Sequence, residues 1–142
     1  MLAAAREALD RVNPRPLLIA VTVLTSLSRE ELGELGISGE VDDVVLQLAR
    51  LAHESGADGV VCSGYEAPRL RKQFGREFCL VTPGIRPAQT GHDDQLRVVT
   101  PRQAVLNGAD YLVIGRPVTQ AQDPLKALQE INQEIAKTGK QT

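Results

Sequence analysis

The feature that most constrains this chain is the regular alternation of short, continuously apolar segments with longer segments of helical period. PLLIAVTVL (Pro16–Leu24) is apolar throughout and rich in branched residues, as a parallel strand covered on both faces should be. VDDVVLQLARLAHESG (Val41–Gly56) instead has apolar residues at Val44, Val45, Leu48, Leu51 and Ala52, a helical period that stops at a glycine. GVVCS (Gly59–Ser63) predicts a second strand, EAPRLRKQFG (Glu66–Gly75) a short helix and FCLVT (Phe78–Thr82) a third strand. TPRQAVLNGAD (Thr100–Asp110) reads as a threonine N-cap, a proline at the first helical position, a short helix and a glycine stop. YLVIG (Tyr111–Gly115) is the fourth strand, and DPLKALQEINQEIAK (Asp123–Lys137) the closing helix; MLAAAREALDRV at the start is an amphipathic helix.

One helix followed by four strand–helix units predicts an α/β fold with a parallel sheet and right-handed crossovers. An open doubly wound sheet and a (β/α)8 barrel share that wiring. A barrel takes about 250 residues, so four units in 142 residues amount to half of one. An open four-stranded sheet suits the length, but neither G-x-G-x-x-G nor G-x-x-x-x-G-K follows any strand. No sequence repeat, low-complexity tract or interior linker stands out. Residues 1–142 therefore read as one domain, with TGKQT (138–142) as a frayed tail.

Composition narrows the function. A net charge of −2 gives no global basic field for nucleic acid or an anionic membrane, though one or two arginines can still build a local anion site. Aromatics are 3% with no tryptophan, which leaves little for base stacking. No apolar run reaches the roughly 18–20 residues that span a bilayer, and the N-terminus lacks a signal-peptide pattern, so a cytoplasmic location is expected. Cys62 and Cys79 lie in apolar strand segments and read as buried, inert thiols; neither His53 nor His92 falls at metal-ligand spacing from them.

In both architectures function gathers at the carboxyl ends of the strands. The first strand ends in TVLTS, offering the hydroxyls of Thr25 and Ser26; the second ends in CSGYE. The third stops at Pro83-Gly84, sends out Arg86, and continues into a polar loop of lid length, PAQTGHDDQ, that ends at Gln95. His92-Asp93-Asp94 within it reads as a solvated charge run. The fourth strand ends in Gly115-Arg116-Pro117: a glycine for close backbone approach, a guanidinium for bidentate contact, and a proline suited to a first helical turn. These are parts of a phosphate site, although each loop read alone also suits an ordinary solvated turn.

LLIAVTVLTS, DGVVCS, LVTPGIRP with a downstream DQ, and VIGRPVTQ stand in the same order and spacing as in bacterial orotidine 5′-phosphate decarboxylases, and the chain resembles that family from about Met1 to Ala136. The resemblance implies a (β/α)8 barrel converting orotidine 5′-phosphate to uridine 5′-phosphate and CO2 with no metal or organic cofactor. It implies that Thr25, with Ser26 beside it, contacts the pyrimidine. Arg86 and Gln95 would contact substrate from the seventh loop, and Gly115 and Arg116 would grip the phosphate. It further implies that the catalytic lysine and aspartates belong to early strands. The four lysines here, Lys72, Lys126, Lys137 and Lys140, fall on outer helices and the tail.

The chain is thus expected to be a C-terminal part beginning inside the fourth helix, with no catalytic residue of its own and inactive alone. Its expected partners are the missing N-terminal half and, for the intact enzyme, a second subunit. A half-barrel would expose two sheet edges and one core face, and so pair with itself or aggregate. Another phosphate-barrel decarboxylase or aldolase, and a non-catalytic phosphate-binding half-barrel, remain the alternatives.

Overall fold

The computed structural model describes residues 1–87 and 98–138. Helix α1 (Leu2–Leu9) leads into β1 (Ile19–Val21), followed by α2 (Arg29–Glu34), α3 (Val41–Glu54), β2 (Gly59–Val61), α4 (Ala67–Phe74) and β3 (Cys79–Thr82). Then come α5 (Pro101–Leu106), β4 (Tyr111–Leu112), α6 (Arg116–Thr119) and α7 (Pro124–Ala136). The four strands form one parallel sheet in the order β1-β2-β3-β4. Each predicted strand and long helix is present, with strands shorter than their apolar runs. Only α2 was not anticipated. Its start is a full capping box, in which Ser28 accepts from the Glu31 N–H and Glu31 accepts from the Ser28 N–H.

The sheet is anchored at its amino end by one device used twice. Gly56 and Gly108, at φ +83° and +101°, end α3 and α5 in a conformation that glycine adopts without strain. The next residue's N–H turns back into the helix, from Ala57 to the Ala52 carbonyl and from Ala109 to that of Ala104. Asp58 and Asp110 then donate their N–H groups to Leu18 O (2.8 Å) and Leu80 O (2.9 Å). Their carboxylates accept the N–H of the same two leucines, at 2.7 and 2.8 Å. The tripeptide Gly-Ala-Asp therefore recurs with the same geometry, a short repeat that the sequence reading overlooked.

Arginines complete both anchors. Arg6 and Arg15 hold Asp58, each with a contact of 2.9 Å. Arg71 holds Asp110 at 2.6 Å while donating to the carbonyls of Gly75, Arg76, Phe78 and Gly108. One planar fork thus ties the α4–β3 turn to the α5–β4 turn, a task for which a lysine has too few and too loosely oriented donors.

The core lies on one side of the sheet. Val60 and Leu80, adjacent in register, pack with Val44, Val45, Ala49 and Ala52 of α3 and with Ala67 and Leu70 of α4. Of the predicted helical stripe, Leu51 turns outward and is largely exposed. The opposite face differs from expectation. Along the register row Val21–Val61–Val81–Tyr111 the inner valines are half-buried, but Val21 and Tyr111 are 60% and 58% exposed. The apolar strands therefore have a cover on one face only at the two ends of the sheet.

Close packing within the sheet makes Gly59 indispensable. A Cβ there would sit 2.1 Å from the Cys79 carbonyl oxygen, so any side chain must push β2 and β3 apart. Gly59→Ala should lower unfolding stability by roughly 3 kcal/mol, the scale of a severe overpacking change, as measured by urea denaturation. A variant within error of the parent would show that the two strands separate there at no cost.

Candidate functional site

Of the residues singled out in the sequence, Thr25, Ser26, Arg86, Gly115 and Arg116 follow the carboxyl ends of three of the four strands. Thr25, in the segment after β1, is buried and Ser26 half-buried. Arg86 follows β3, and Gly115-Arg116 follows β4 at the start of α6, where the Val118 and Thr119 N–H groups donate to Gly115 O. Because β3 and β4 are paired neighbours, these two arginines arise from adjacent strand ends, while Thr25 and Ser26 arise at the far side of the sheet. Gln95, with His92-Asp93-Asp94, lies outside the described residues.

The end of β3 is built as a clamp. Gly84 turns the chain at φ +73° just after Pro83. Ile85 then pairs in parallel with Val99. Arg86 donates its N–H to Val99 O at 3.0 Å, and Val99 donates to Gly84 O at 3.2 Å. Both ends of the segment leaving at Pro87 and returning at Val98 are thereby tied to one another. Ile85 and Val99 are buried, so these bonds are shielded from competing water. The Arg86 side chain is itself 9% exposed and donates Nη1–H to Ile85 O at 2.9 Å.

The β2–α4 turn supports that clamp from below, through two residues that the sequence reading did not single out. A Cβ on Gly64 would lie 2.3 Å from Val99 Cγ2, so glycine is what lets the stem rest on the turn. Glu66, buried, accepts the Ser63 N–H at 2.5 Å, while Ser63 Oγ accepts the Tyr65 N–H. Neither residue carries a local signal in the sequence, because both roles are set by contacts made in the fold.

Cys62 and Cys79 are free and buried, and the thiol of Cys62 is pushed up to about 12, by burial first and then by the nearby Glu66 carboxylate. His53 packs edge-on to Phe78 and tilted against Phe74, both at 5.3 Å between ring centres.

The family follows from comparison with known proteins. A profile described as "Orotidine 5′-phosphate decarboxylase / HUMPS family" matches residues 1–131. The chain belongs to this family. It is 57% identical over 135 residues to the orotidine 5′-phosphate decarboxylase of Hahella chejuensis, covering 95% of this chain and 58% of that protein. The corresponding protein of Nitrosococcus oceani is 57% identical over 136 residues, covering 96% and 59%. Among solved structures, the crystal structure of orotidine 5′-phosphate decarboxylase from Lactobacillus acidophilus superposes with a TM-score of 0.78 at 38% identity, covering 95% of this chain and 58% of that one. The chain thus spans a little under three-fifths of the length of these relatives, and its four strand–helix units are the corresponding share of a (β/α)8 barrel.

Within the orotidine 5′-phosphate decarboxylase frame three of the four lysines lie on helices or at a helix end, as expected. Lys72 is exposed on α4, Lys126 lies on α7 and Lys137 closes α7; Lys140 is outside the described residues. Among the described residues no helix is long and apolar enough to cross a membrane.

The state of Cys62 is open to measurement. From its ordinary 9.0 up to about 12, the unfolded chain gives up this proton while the folded chain keeps it. Stability should therefore be intact below pH 9 and fall above it by roughly 1 kcal/mol per pH unit on account of this group. Cys62→Ala should flatten that slope in denaturant titrations; an unchanged slope would locate the alkaline loss elsewhere.

Proposed function

We propose that this chain is the phosphate- and pyrimidine-gripping part of an orotidine 5′-phosphate decarboxylase, an enzyme that releases CO2 from orotidine 5′-phosphate to give uridine 5′-phosphate. The observation that carries the reading is the pairing of two arginine-bearing strand ends, Arg86 on its clamped stem and Arg116 after Gly115, in a chain of this family. In this proposal Arg116 and the Gly115 backbone hold the 5′-phosphate, with Arg86 beside them. Gln95 bridges base and phosphate, and Thr25 and Ser26 meet the pyrimidine from the other side of the mouth.

The phosphate is remote from the bond that breaks. When CO2 departs, the electron pair stays on the ring carbon, which must then take a proton. A grip on the phosphate contributes by spending its binding energy on orientation and closure, which count at the transition state. The lysine that donates the proton and its surrounding aspartates are proposed to come from early strands of the barrel, outside this chain. The positions of Lys72, Lys126 and Lys137 on α4 and α7 support a chain that binds without turning over by itself. The intact enzyme is proposed to be a homodimer needing no metal or organic cofactor.

Calorimetric titration of the 142-residue chain tests the grip. Uridine 5′-phosphate should bind and uridine should not, and Arg116→Ala should weaken the nucleotide by about 2–5 kcal/mol, the cost of losing one partner of a desolvated charge pair. Equal affinity for the two ligands, or an Arg116→Ala variant that binds like the parent, would remove the phosphate site from this mouth. Spliced onto the early strands of a relative, the same substitution should lower kcat/KM as well as raise KM.

A further inference from the structure

The hydrophobic core divides in two. The main cluster joins β2 and β3 to α3 and α4, whereas Ile85, Val99, Ala104 and Ala109 form a separate small one with Leu112 and Ile114 packed against it. Two of those four buried residues are alanines, so the cluster buries little area with which to hold Val99 in place. Around Val99 runs a closed polar circuit carried by α5.

Thr100, next to Val99, caps α5 by accepting the Gln103 N–H at 3.1 Å. Gln103 donates Nε2–H to Asn107 Oδ1 at 2.7 Å. With its oxygen so engaged, the Asn107 amide turns its NH2 group to Gly64 O and donates at 2.6 Å. Gly64 returns the circuit to Val99, because the valine side chain lies where a Cβ on the glycine would be. Gly64 is buried, so its carbonyl is costly to leave without this donor. At the other end of α5, Glu134 of α7 accepts the Arg102 N–H at 3.1 Å. The helix is thereby held at both ends.

We propose that Asn107, at the C-cap of α5, is a positioning residue for Arg86. Its bond fixes Gly64, Gly64 seats Val99, and Val99 O holds the Arg86 N–H at 3.0 Å. One amide on the outside of the sheet thus governs where the guanidinium-bearing stem stands, without touching a ligand. Any effect on nucleotide rests on the proposed phosphate grip; the effect on the stem does not.

Amide hydrogen exchange of the 142-residue chain, followed residue by residue by NMR without nucleotide, tests the stem directly. Asn107→Asp keeps the shape and the acceptor for Gln103 but cannot donate to Gly64 O. It should make the Arg86 and Val99 amides exchange about tenfold faster, the scale of one lost bond to a buried carbonyl. The Leu18 and Asp58 amides, at the foot of the sheet, should keep the parent's rates. Gln103→Ala, at an exposed position, should quicken the same two stem amides by a smaller factor. Unchanged stem rates in both variants would overturn the proposal. So would equal acceleration at Leu18 and Asp58, which marks a general loss of stability and not a displaced stem. Titration with uridine 5′-phosphate then separates this role from the phosphate grip. Asn107→Asp should weaken the nucleotide in the parent background and have no effect in an Arg86→Ala background. Equal weakening in both backgrounds would overturn the proposal, since Asn107 would then act by a route other than Arg86. A quickened stem with unchanged nucleotide affinity would support the positioning role and remove Arg86 from the phosphate grip.

Discussion

Two carboxylates at the foot of the sheet hold the rest of the structure in place. Asp58 and Asp110 each bind the strand before them through main-chain N–H in both directions, donating to and accepting from a single leucine. In a parallel sheet register is not set by a tight turn, because a whole helix intervenes between paired strands. A side chain that recognises one residue of the neighbouring strand replaces that missing turn. With register fixed at the foot, the opposite ends of the strands come level, and the mouth that carries Arg86 and Arg116 inherits its geometry. The arginines matter because a half-buried carboxylate needs charge-assisted partners to remain in place.

What lay legible in the sequence was what local chemistry decides. Continuous branched runs marked the strands, a 3.6-residue period marked α3, an Asp-Pro start marked α7, and proline or glycine punctuation marked the other ends. The chemistry-bearing strand ends were visible for the same reason: Pro83-Gly84 and Gly115-Arg116-Pro117 break a pattern. Less legible were features decided by contact across the fold. Glu66 looked like an ordinary first residue of a helix, and only its burial against Ser63 N–H reveals a structural acid. Gly64 carries no local sign that Val99 sits on it. The Gly-Ala-Asp repeat escaped because three residues recurring once fall below any periodicity worth noticing, until identical hydrogen bonds show them to be one device.

The strands themselves were read as covered on both faces, and the structure divides that expectation. A run of valine and isoleucine shows that a strand can be buried on both sides, not that this chain supplies both covers. Here the helices supply one, over Val60 and Leu80, and the other face is left to whatever completes the barrel. Composition cannot separate those cases, since the residues suited to a barrel interior are the same ones that make a sheet core.

The clamp between Ile85 and Val99 makes the sequence that joins Pro87 to Val98 exchangeable. Its two stems are fixed to each other and to Gly64 whatever the chain does between them. Lengthening a loop closed by such a neck costs little, about 0.6 kcal/mol for each doubling. A different sequence could therefore be grafted between Pro87 and Val98 while the sheet, the arginine beside it and the neighbouring strand end stay as they are. The neck is a socket: its two walls belong to the fold, whatever chain is set between them.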